Sequence, residues 1–292
     1  MQLSEARVAI VGLGLMGGSL AAALRAHDAC REVVGVARRE SSLSTAITLR
    51  MIHRGTSDLR AGVADADLVI LCTPVGDILA KLAQMGPWLK PGCVVLDVGS
   101  TKTAICQAME HLPDGVQPVG GHPMCGKESS GLSMAEPTLY RDRVFVLAPL
   151  ERTAPVAVEL AEALVRAVGA RPLYLEPERH DRIVAAISHL PYLLAVTLVN
   201  AAERLDRQDT EREDTMLWAL AASGFSDTSR VAASSIPMMA DILSTNRGPI
   251  LDAARAAQAE LARMIDLLED DDIDALLPLL GAARDRRRGM NR

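Results

Sequence analysis

Short apolar runs alternate with helical patterns through the first part of the chain. Runs rich in Val, Ile and Leu occupy residues 8–11, 33–36, 67–72, 93–97, 144–147 and 172–175. Apolar runs of this length predict strands that are covered on both faces, as in a parallel sheet. Helical patterns at residues 19–26, 77–85 and 155–168 lie between them. The alternation predicts an α/β domain over residues 1–175, with a doubly wound parallel sheet.

From about residue 176 onward the strand patterns stop and only helical patterns remain. These occupy residues 180–205, 213–222, 230–244, 248–268 and 272–282. Pro191 lies inside the first of them, so we expect a break or a kink there. The basic run at residues 284–288 is expected to be a frayed, solvated end. The second domain, residues 176–292, is therefore predicted to be all-α.

The composition of the chain limits the kinds of molecule that it can bind. The chain of 292 residues has a net charge of −6 and only 2% aromatic residues. It therefore lacks the basic field and the stacking surface that nucleic acid or an anionic membrane requires. Five cysteines without a Cys-x-x-Cys pair, and a first apolar run too short for export, favour a cytoplasmic protein. His122 and Cys125 are the one close His/Cys pair, so no metal site is expected.

A glycine-rich turn follows the first predicted strand and opens a helix, which is the context of a dinucleotide-binding motif. The turn comprises Gly12, Leu13, Gly14, Leu15, Met16 and Gly17. Its glycines permit a tight turn, a close approach of the backbone to a pyrophosphate, and close packing of helix on strand. The helix N-terminus adds free N–H groups. We therefore expect a Rossmann-type, nicotinamide-dependent dehydrogenase; the alternative is a purely structural turn.

Two further segments report on the cofactor. An acidic residue at the end of the second strand would bind the ribose hydroxyl of NAD, but Arg38 and Arg39 stand there instead. Arginine pairs with a 2′-phosphate and stacks on adenine, so we predict NADP. If the two arginines are only an exposed loop pair, NAD is used. Cys72, Thr73 and Pro74 end a strand and are expected to flank the nicotinamide half.

Residues with catalytic potential follow two later strands. Asp97 to Lys102 lie at a strand tip, and residues 120–131 form a glycine-rich segment that we interpret as a loop carrying His122. Ligands of open α/β sheets bind beyond the carboxyl ends of the strands. A histidine there, with a nearly neutral pKa, can act as a general base.

Five ordered motifs resemble the prephenate/arogenate dehydrogenase family of tyrosine biosynthesis, and the resemblance covers roughly residues 7–270. They are the glycine turn, Asp97-x-Gly99-Ser100-x-Lys102, Gly121-His122-Pro123-Met124-x-Gly126, Ser188-His189-Leu190-Pro191 and Gly224-Phe225-x-Asp227-x-x-Arg230. The resemblance implies a dinucleotide domain followed by a helical dimerisation domain, hence a homodimer. It also implies the oxidative decarboxylation of a cyclohexadiene that bears a 4-hydroxyl and a ring carboxylate.

The matching positions imply catalytic roles for two residues. His122 corresponds to the catalytic histidine, which accepts the proton of the 4-hydroxyl. Ser100 corresponds to the serine that hydrogen-bonds the hydroxyl or the histidine. The structural alternatives are a histidine satisfied by loop backbone and a serine that caps the following helix.

The resemblance also implies a substrate-binding set. Arg230 corresponds to the arginine that clamps the ring carboxylate, for which its guanidinium offers a bidentate fork. His189 corresponds to a histidine of the helical domain near the site, and Glu128 to an acidic residue of the prephenate enzymes. Lys102 is included because it stands beside Ser100. The alternatives are an exposed lysine, a surface arginine and a buried structural histidine.

Several positions depart from the pattern of the prephenate-specific members. Tyr192 stands where those enzymes often carry histidine, Ser226 replaces lysine, and Met238-Met239 replaces Met-Trp. Contacts that would recognise a pyruvyl side chain are thus missing, which favours arogenate and resembles the NADP-using arogenate dehydrogenases of cyanobacterial type. Glu128 favours the alternative, prephenate with NAD or NADP.

Other classes remain open at this stage. A β-hydroxyacid or pyrroline-5-carboxylate type of dehydrogenase shares the turn and the helical second half, but it uses other catalytic groups. A non-catalytic NADP-binding sensor would keep the turn without needing Ser100, His122 and Arg230 together. Formation of reduced cofactor in the presence of arogenate distinguishes enzyme from sensor.

Overall fold

The computed structural model describes residues 1–127, 130–209 and 216–290, with the side chains of 207–209 left out. Eight strands form one sheet in the order β3-β2-β1-β4-β5-β6-β7-β8. Their bounds are β1 (Arg7–Val11), β2 (Glu32–Val36), β3 (Arg54–Thr56), β4 (Leu68–Leu71), β5 (Val94–Asp97), β6 (Gln117–Pro123), β7 (Val144–Pro149) and β8 (Arg171–Tyr174). All neighbours pair in parallel except β6 and β7, which are antiparallel. The predicted Rossmann-type fold is confirmed, with one antiparallel pair added.

Helices cover both faces of this sheet. They are α1 (Leu15–Ala26), α2 (Glu40–Thr48), α3 (Leu59–Val63), α4 (Val75–Met85), α5 (Thr103–Glu110) and α6 (Pro155–Ala167). One apolar cluster holds the buried sides of α1, α2 and α6, and a second holds those of α3, α4 and α5. This two-sided core explains why the strands are continuous apolar runs and not alternating ones.

One sequence-based interpretation needs correction here. Residues 120–123 belong to strand β6 and not to a loop, and His122 pairs with Val146 of β7. The glycines that suggested a loop allow a close approach between strands: a Cβ at Gly121 would lie 2.3 Å from Asp97 O. Glycine inside a strand often marks such a contact.

The described residues from Pro177 onward form mainly helices. They form α7 (Pro177–Val184), a π-helical turn (Ala185–His189), α8 (Leu190–Asp209), α9 (Met216–Leu220), α10 (Ser223–Ser229), a 3-10 turn (Arg230–Ala233), α11 (Ile236–Thr245), α12 (Arg247–Glu269) and α13 (Ile273–Gly289). The π-helical turn directly precedes Leu190 and Pro191, where the break was predicted. The single helix predicted over 230–244 is wrong, because a turn and α11 divide that segment.

Two further points concern the predicted ends of helices. The basic run at 284–288 is not frayed: α13 continues through it to Gly289 with its side chains exposed. The first residues of the helix predicted over 213–222 lie outside the described residues, and α9 accounts for the rest.

The stretch at residues 177–206 is long and apolar enough to cross a membrane by length and composition alone. It contains buried His180, Asp181 and His189, which hydrogen-bond to neighbouring elements.

The helical domain docks on the carboxyl edge of the sheet through hydrogen bonds. The Gly76 N–H, at the start of α4, donates to Asp241 Oδ2 of α11 at 2.8 Å. The hydroxyls of Thr101 and Thr245 lie 2.9 Å apart. Asp181 of α7 accepts from backbone N–H groups at the start of α5. The cleft between the domains is thereby fixed over the strand ends where ligands of such sheets bind.

Candidate active site

The glycine turn is shaped by three different steric demands. Gly12 has φ +101°, and a Cβ there would lie 2.6 Å from Thr73 Cγ2. A Cβ at Gly17 would lie 1.9 Å from Gly12 O, so only glycine lets α1 pack on the turn. A Cβ at Gly14 would meet nothing within 4 Å, so the space in front of this residue is open. Gly14 therefore faces the ligand side of the turn.

The start of α1 offers donors to an anion. Gly14 is the N-cap residue and supplies no side-chain cap, so the first N–H groups of the helix point into that open space. Leu13 is buried and Leu15 and Met16 are partly buried against the core, so these side chains serve packing. The Met16 carbonyl accepts the Tyr140 hydroxyl at 2.8 Å. The arrangement fits the pyrophosphate of a dinucleotide.

The predicted selectivity residues stand where a cofactor could reach them. Arg38 and Arg39 are exposed beyond the end of β2, and Arg39 is the residue before α2. Thr73 and Pro74 follow β4, beside Gly12 in space. The Cys72 thiol packs beneath the turn, and burial raises its pKa, so it stays protonated. Cys72 thus supports the turn by packing.

Four adjacent strand ends bring the candidate residues together. The strands β1, β4, β5 and β6 are neighbours in the sheet, and all point the same way. Gly12 follows β1, Thr73 follows β4, Ser100 follows β5, and His122 lies near the end of β6. The sheet therefore leads from the glycine turn to His122 along one edge.

Lys102 has a supporting position. Its side chain is fully buried and its Nζ forms an ion pair with Asp97 Oδ2. Asp97 also accepts the N–H of Gly99 at 2.7 Å and that of Gly121 at 2.9 Å. The pair joins the tip of β5 to β6, which fixes the segments that carry Ser100 and His122. The predicted substrate contact of Lys102 is corrected to this role, because no part of its side chain is accessible.

Asp181 caps α5 from the other domain. Its Oδ1 accepts the Lys102 N–H at 2.7 Å and its Oδ2 accepts the Thr103 N–H at 2.8 Å. The alternative role of Ser100 as the cap of this helix therefore does not apply. Ser100 lies partly buried in the bend between β5 and α5.

His122 is the first member of a chain of hydrogen bonds. Its Nδ1 lies 2.8 Å from His180 Nε2, and His180 Nδ1 lies 2.8 Å from Asp181 Oδ1. His122 is partly buried, whereas His180 and Asp181 are buried. The chain of hydrogen bonds runs from β6 into the helical domain. Nε2 of His122 takes no part in it.

The surroundings keep His122 neutral. Burial, followed by the fields of His180, Lys102 and His189, lowers the pKa of His122 well below its usual value, and Asp181 opposes this only in part. The predicted near-neutral pKa is therefore wrong in magnitude, but the unprotonated imidazole is the form that accepts a proton. Burial raises the pKa of Asp181, yet the hydrogen bond from His180 and the two backbone donors outweigh it, so this carboxyl is ionised.

His189 belongs to the same network from the π-helical turn. Asn246 Nδ2 lies 3.1 Å from His189 Nδ1 and donates to Asp181 O at 2.8 Å. Burial lowers the pKa of His189 to about 4, so this ring is neutral too. His189 is buried, so its role includes holding the helices that carry Asp181.

Arg230 and Glu128 are the other two residues predicted to bind the substrate. Arg230 is exposed at the first residue of the 3-10 turn, which packs on α8. Glu128 lies outside the described residues. Sequence analysis missed His180, Asp181 and Asn246. A His-Asp pair at the start of an otherwise apolar helix was the available signal.

The comparisons with known proteins cover nearly the whole chain. Residues 20–174 match the family model for the prephenate dehydrogenase nucleotide-binding domain, and residues 176–282 match that for its dimerization domain. A prephenate dehydrogenase of Bacillus subtilis is 31% identical over 285 residues, which is 97% of this chain and 76% of that protein.

Solved structures agree in fold over the same extent. The crystal structure of Synechocystis arogenate dehydrogenase has a TM-score of 0.81 at 30% identity, covering 96% of this chain and 98% of that one. The structure of prephenate dehydrogenase from A. aeolicus, in complex with hydroxyphenyl propionate and NAD+, has a TM-score of 0.90 at 28% identity. It covers 99% of this chain and 100% of that one.

The glycine turn yields a prediction that separates ligand space from packing. Gly14→Ala should raise the Kd for the nicotinamide dinucleotide by about tenfold, or about 1.4 kcal/mol, since its methyl group enters the open space. It should change the free energy of unfolding by no more than about 1 kcal/mol. Gly17→Ala should lower the free energy of unfolding by about 1–3 kcal/mol. Calorimetric titration and urea unfolding measure the two effects; equal loss of stability in both variants would contradict the assignment.

Proposed function

Because this chain belongs to the prephenate dehydrogenase family, we propose that it converts arogenate to tyrosine by oxidative decarboxylation with NADP, in the cytoplasm. One observation carries the proposal. A neutral histidine lies at the carboxyl edge of the sheet, the same edge at which the glycine turn lies. A base, a cleft between two domains and a dinucleotide cradle are the parts this reaction needs.

Each residue of the site has a separate role in this reaction. Nε2 of His122 takes the proton of the 4-hydroxyl, and the hydroxyl of Ser100 orients that group. When bound, the nicotinamide accepts a hydride from the ring carbon that carries the hydroxyl. Arg230 holds the ring carboxylate, and His189 supports the site from the helical domain. Loss of CO₂ from the ring then makes it aromatic, so the base and the orientation are the main catalytic demands.

The choice of NADP rests on Arg38 and Arg39. Both guanidinium groups are exposed beyond β2, and no carboxylate stands at the strand tip. A 2′-phosphate placed there would gain charge-assisted hydrogen bonds, whereas a ribose hydroxyl would lack the carboxylate that binds it at the strand tip in NAD enzymes.

The choice of arogenate rests on the helical domain. Tyr192 packs against a buried cluster that contains Met239, and Met238 and Ser226 are exposed. None of these side chains supplies a cation for a keto acid. Arogenate brings its own ammonium group, so it depends less on such a contact.

Prephenate with NAD is the second candidate. The Bacillus subtilis relative is named for prephenate, and the A. aeolicus structure was determined with NAD+. Glu128 matches an acidic residue of the prephenate enzymes and supports the same alternative.

We also propose that the helical domain forms a homodimer. Most of the exposed large apolar side chains lie between residues 183 and 280, on the helices of this domain. Leu261, Ile265 and Leu268 form one exposed apolar stripe along α12. Such a stripe is typical of an interface, and the family model matching this region is that of a dimerization domain.

Initial rates with each pairing of arogenate or prephenate with NADP or NAD test the proposed function. We expect the highest kcat/KM for arogenate with NADP. Arg38→Ala should raise the KM for NADP at least about tenfold, with little effect on NAD, because only NADP carries the 2′-phosphate. A higher kcat/KM for prephenate or for NAD in the wild-type enzyme would favour the second candidate. Absence of turnover in all four assays would overturn both.

The role of His122 is tested by substitution. His122→Asn should lower kcat by about 10²–10⁴ and change KM much less, because the base acts on the reaction and not on binding. His111→Asn, at an exposed histidine after α5, is the matched control and should leave kcat unchanged. Retention of kcat within about tenfold in His122→Asn would mean that another group removes the proton.

The dimer is tested by placing charge on the two domains. Leu261→Asp should shift the mass measured by sedimentation from twice 31.2 kDa toward the monomer, because a carboxylate in an apolar interface is left unpaired. Ile47→Asp, at a similarly exposed site on α2, should leave the mass unchanged. A monomeric wild-type protein would refute the proposal.

A further inference from the structure

The chain of hydrogen bonds behind His122 has a direction that can be derived from its far end. The Asp181 carboxylate is ionised and accepts backbone N–H groups from Lys102 and Thr103. An ionised carboxylate donates nothing, so His180 Nδ1 must carry the proton in its bond to Asp181 Oδ1.

The protonation of His122 then follows from that of His180. In a neutral His180 with its proton on Nδ1, the Nε2 atom is an acceptor. With His180 in that form, the 2.8 Å contact requires His122 Nδ1 to donate its proton to His180 Nε2. In this tautomer the lone pair of His122 lies on Nε2, the nitrogen that is outside the chain.

We propose that His180, with a single proton on Nδ1, and Asp181 are positioning residues that hold His122 in its Nδ1–H tautomer, so that Nε2 is the basic atom facing the substrate. The proposal rests on the proposed function only in taking His122 as the base. The substrate proton bonds to Nε2, and the Nδ1–H bond to His180 remains intact. The positive charge gained by His122 is then one ring away from the Asp181 carboxylate, which stabilises it.

The other titratable groups around His122 do not supply the same constraint. Lys102 is engaged by Asp97, and His189 contacts Asn246. Within the part of the chain that the structure describes, the His122 ring forms its hydrogen bond with His180. The two rings also contact each other edge to face, with centroids 5.0 Å apart, which limits rotation of His122.

Two amide substitutions at His180 test its hydrogen bonds to His122 and to Asp181 separately. The amide group of asparagine reaches about as far as Nδ1, and that of glutamine about as far as Nε2. His180→Asn therefore keeps a partner for Asp181 and loses the one for His122. His180→Gln keeps an oxygen acceptor for His122 Nδ1–H and loses the partner for Asp181.

Steady-state kinetics of these variants, with whichever substrate and cofactor the wild type uses, test the proposal. We expect His180→Asn to lower kcat by about 10² or more, with both KM values within about threefold. His180→Gln should recover at least about tenfold of that loss. Thr245→Val removes another hydrogen bond between the two domains and leaves the chain of rings intact, so it should keep wild-type kcat.

The outcomes distinguish positioning from packing. Equal kcat in the two His180 variants, or a smaller loss in His180→Asn than in His180→Gln, would overturn the proposal. So would a loss in Thr245→Val as large as that in His180→Asn. An inactive wild-type enzyme would refute the proposed function instead, which the assays reveal before any variant is compared.

Discussion

Two backbone N–H groups at the start of α5 and one imidazole N–H of His180 share the carboxylate of Asp181. A buried carboxylate needs such donors, since an unpaired charge in this position would be strongly destabilising. Hydrogen bonds to a charged group contribute about 1.5–3 kcal/mol each. The same atoms join the helical domain to the sheet and set the position of the ring that supports His122.

The edge of the sheet and the helical domain contribute different parts of one site. The buried pair of Asp97 and Lys102 ties β5 to β6 and so fixes where Ser100 and His122 lie. The helical domain then adds Asp181 and His180 from behind. A histidine on a strand, held by residues from a second domain, has little freedom to rotate. That rigidity suits the role of proton acceptor that we propose for His122.

Much of the fold could be predicted from local pattern. The unbroken apolar runs gave the parallel strands because burial on both faces leaves no alternation. The turn at Gly12 to Gly17 was recognisable because each glycine answers a local steric demand. The strand that carries His122 was mistaken for a loop, since its glycines serve a contact with β5 that no local pattern reveals.

The site itself was only half visible in the sequence. His122 and Ser100 lie in recognisable motifs, but His180 and Asp181 acquire their roles through partners 58 and 79 residues away in the chain. Lys102 was expected to reach the substrate because it stands beside Ser100, which was assigned to the site. The pairing with Asp97 buries it instead, and only the packing of β6 against β5 decides that outcome.

The tautomer of His122 is the most direct measure of this account. Nitrogen-15 NMR of the imidazole rings at neutral pH, assigned by comparison with His122→Asn, reports which nitrogen carries the proton. We expect a protonated Nδ1 and an unprotonated Nε2 in the wild-type enzyme. A proton on Nε2 would contradict it, because the ring would then donate to the substrate hydroxyl and could not act as its base.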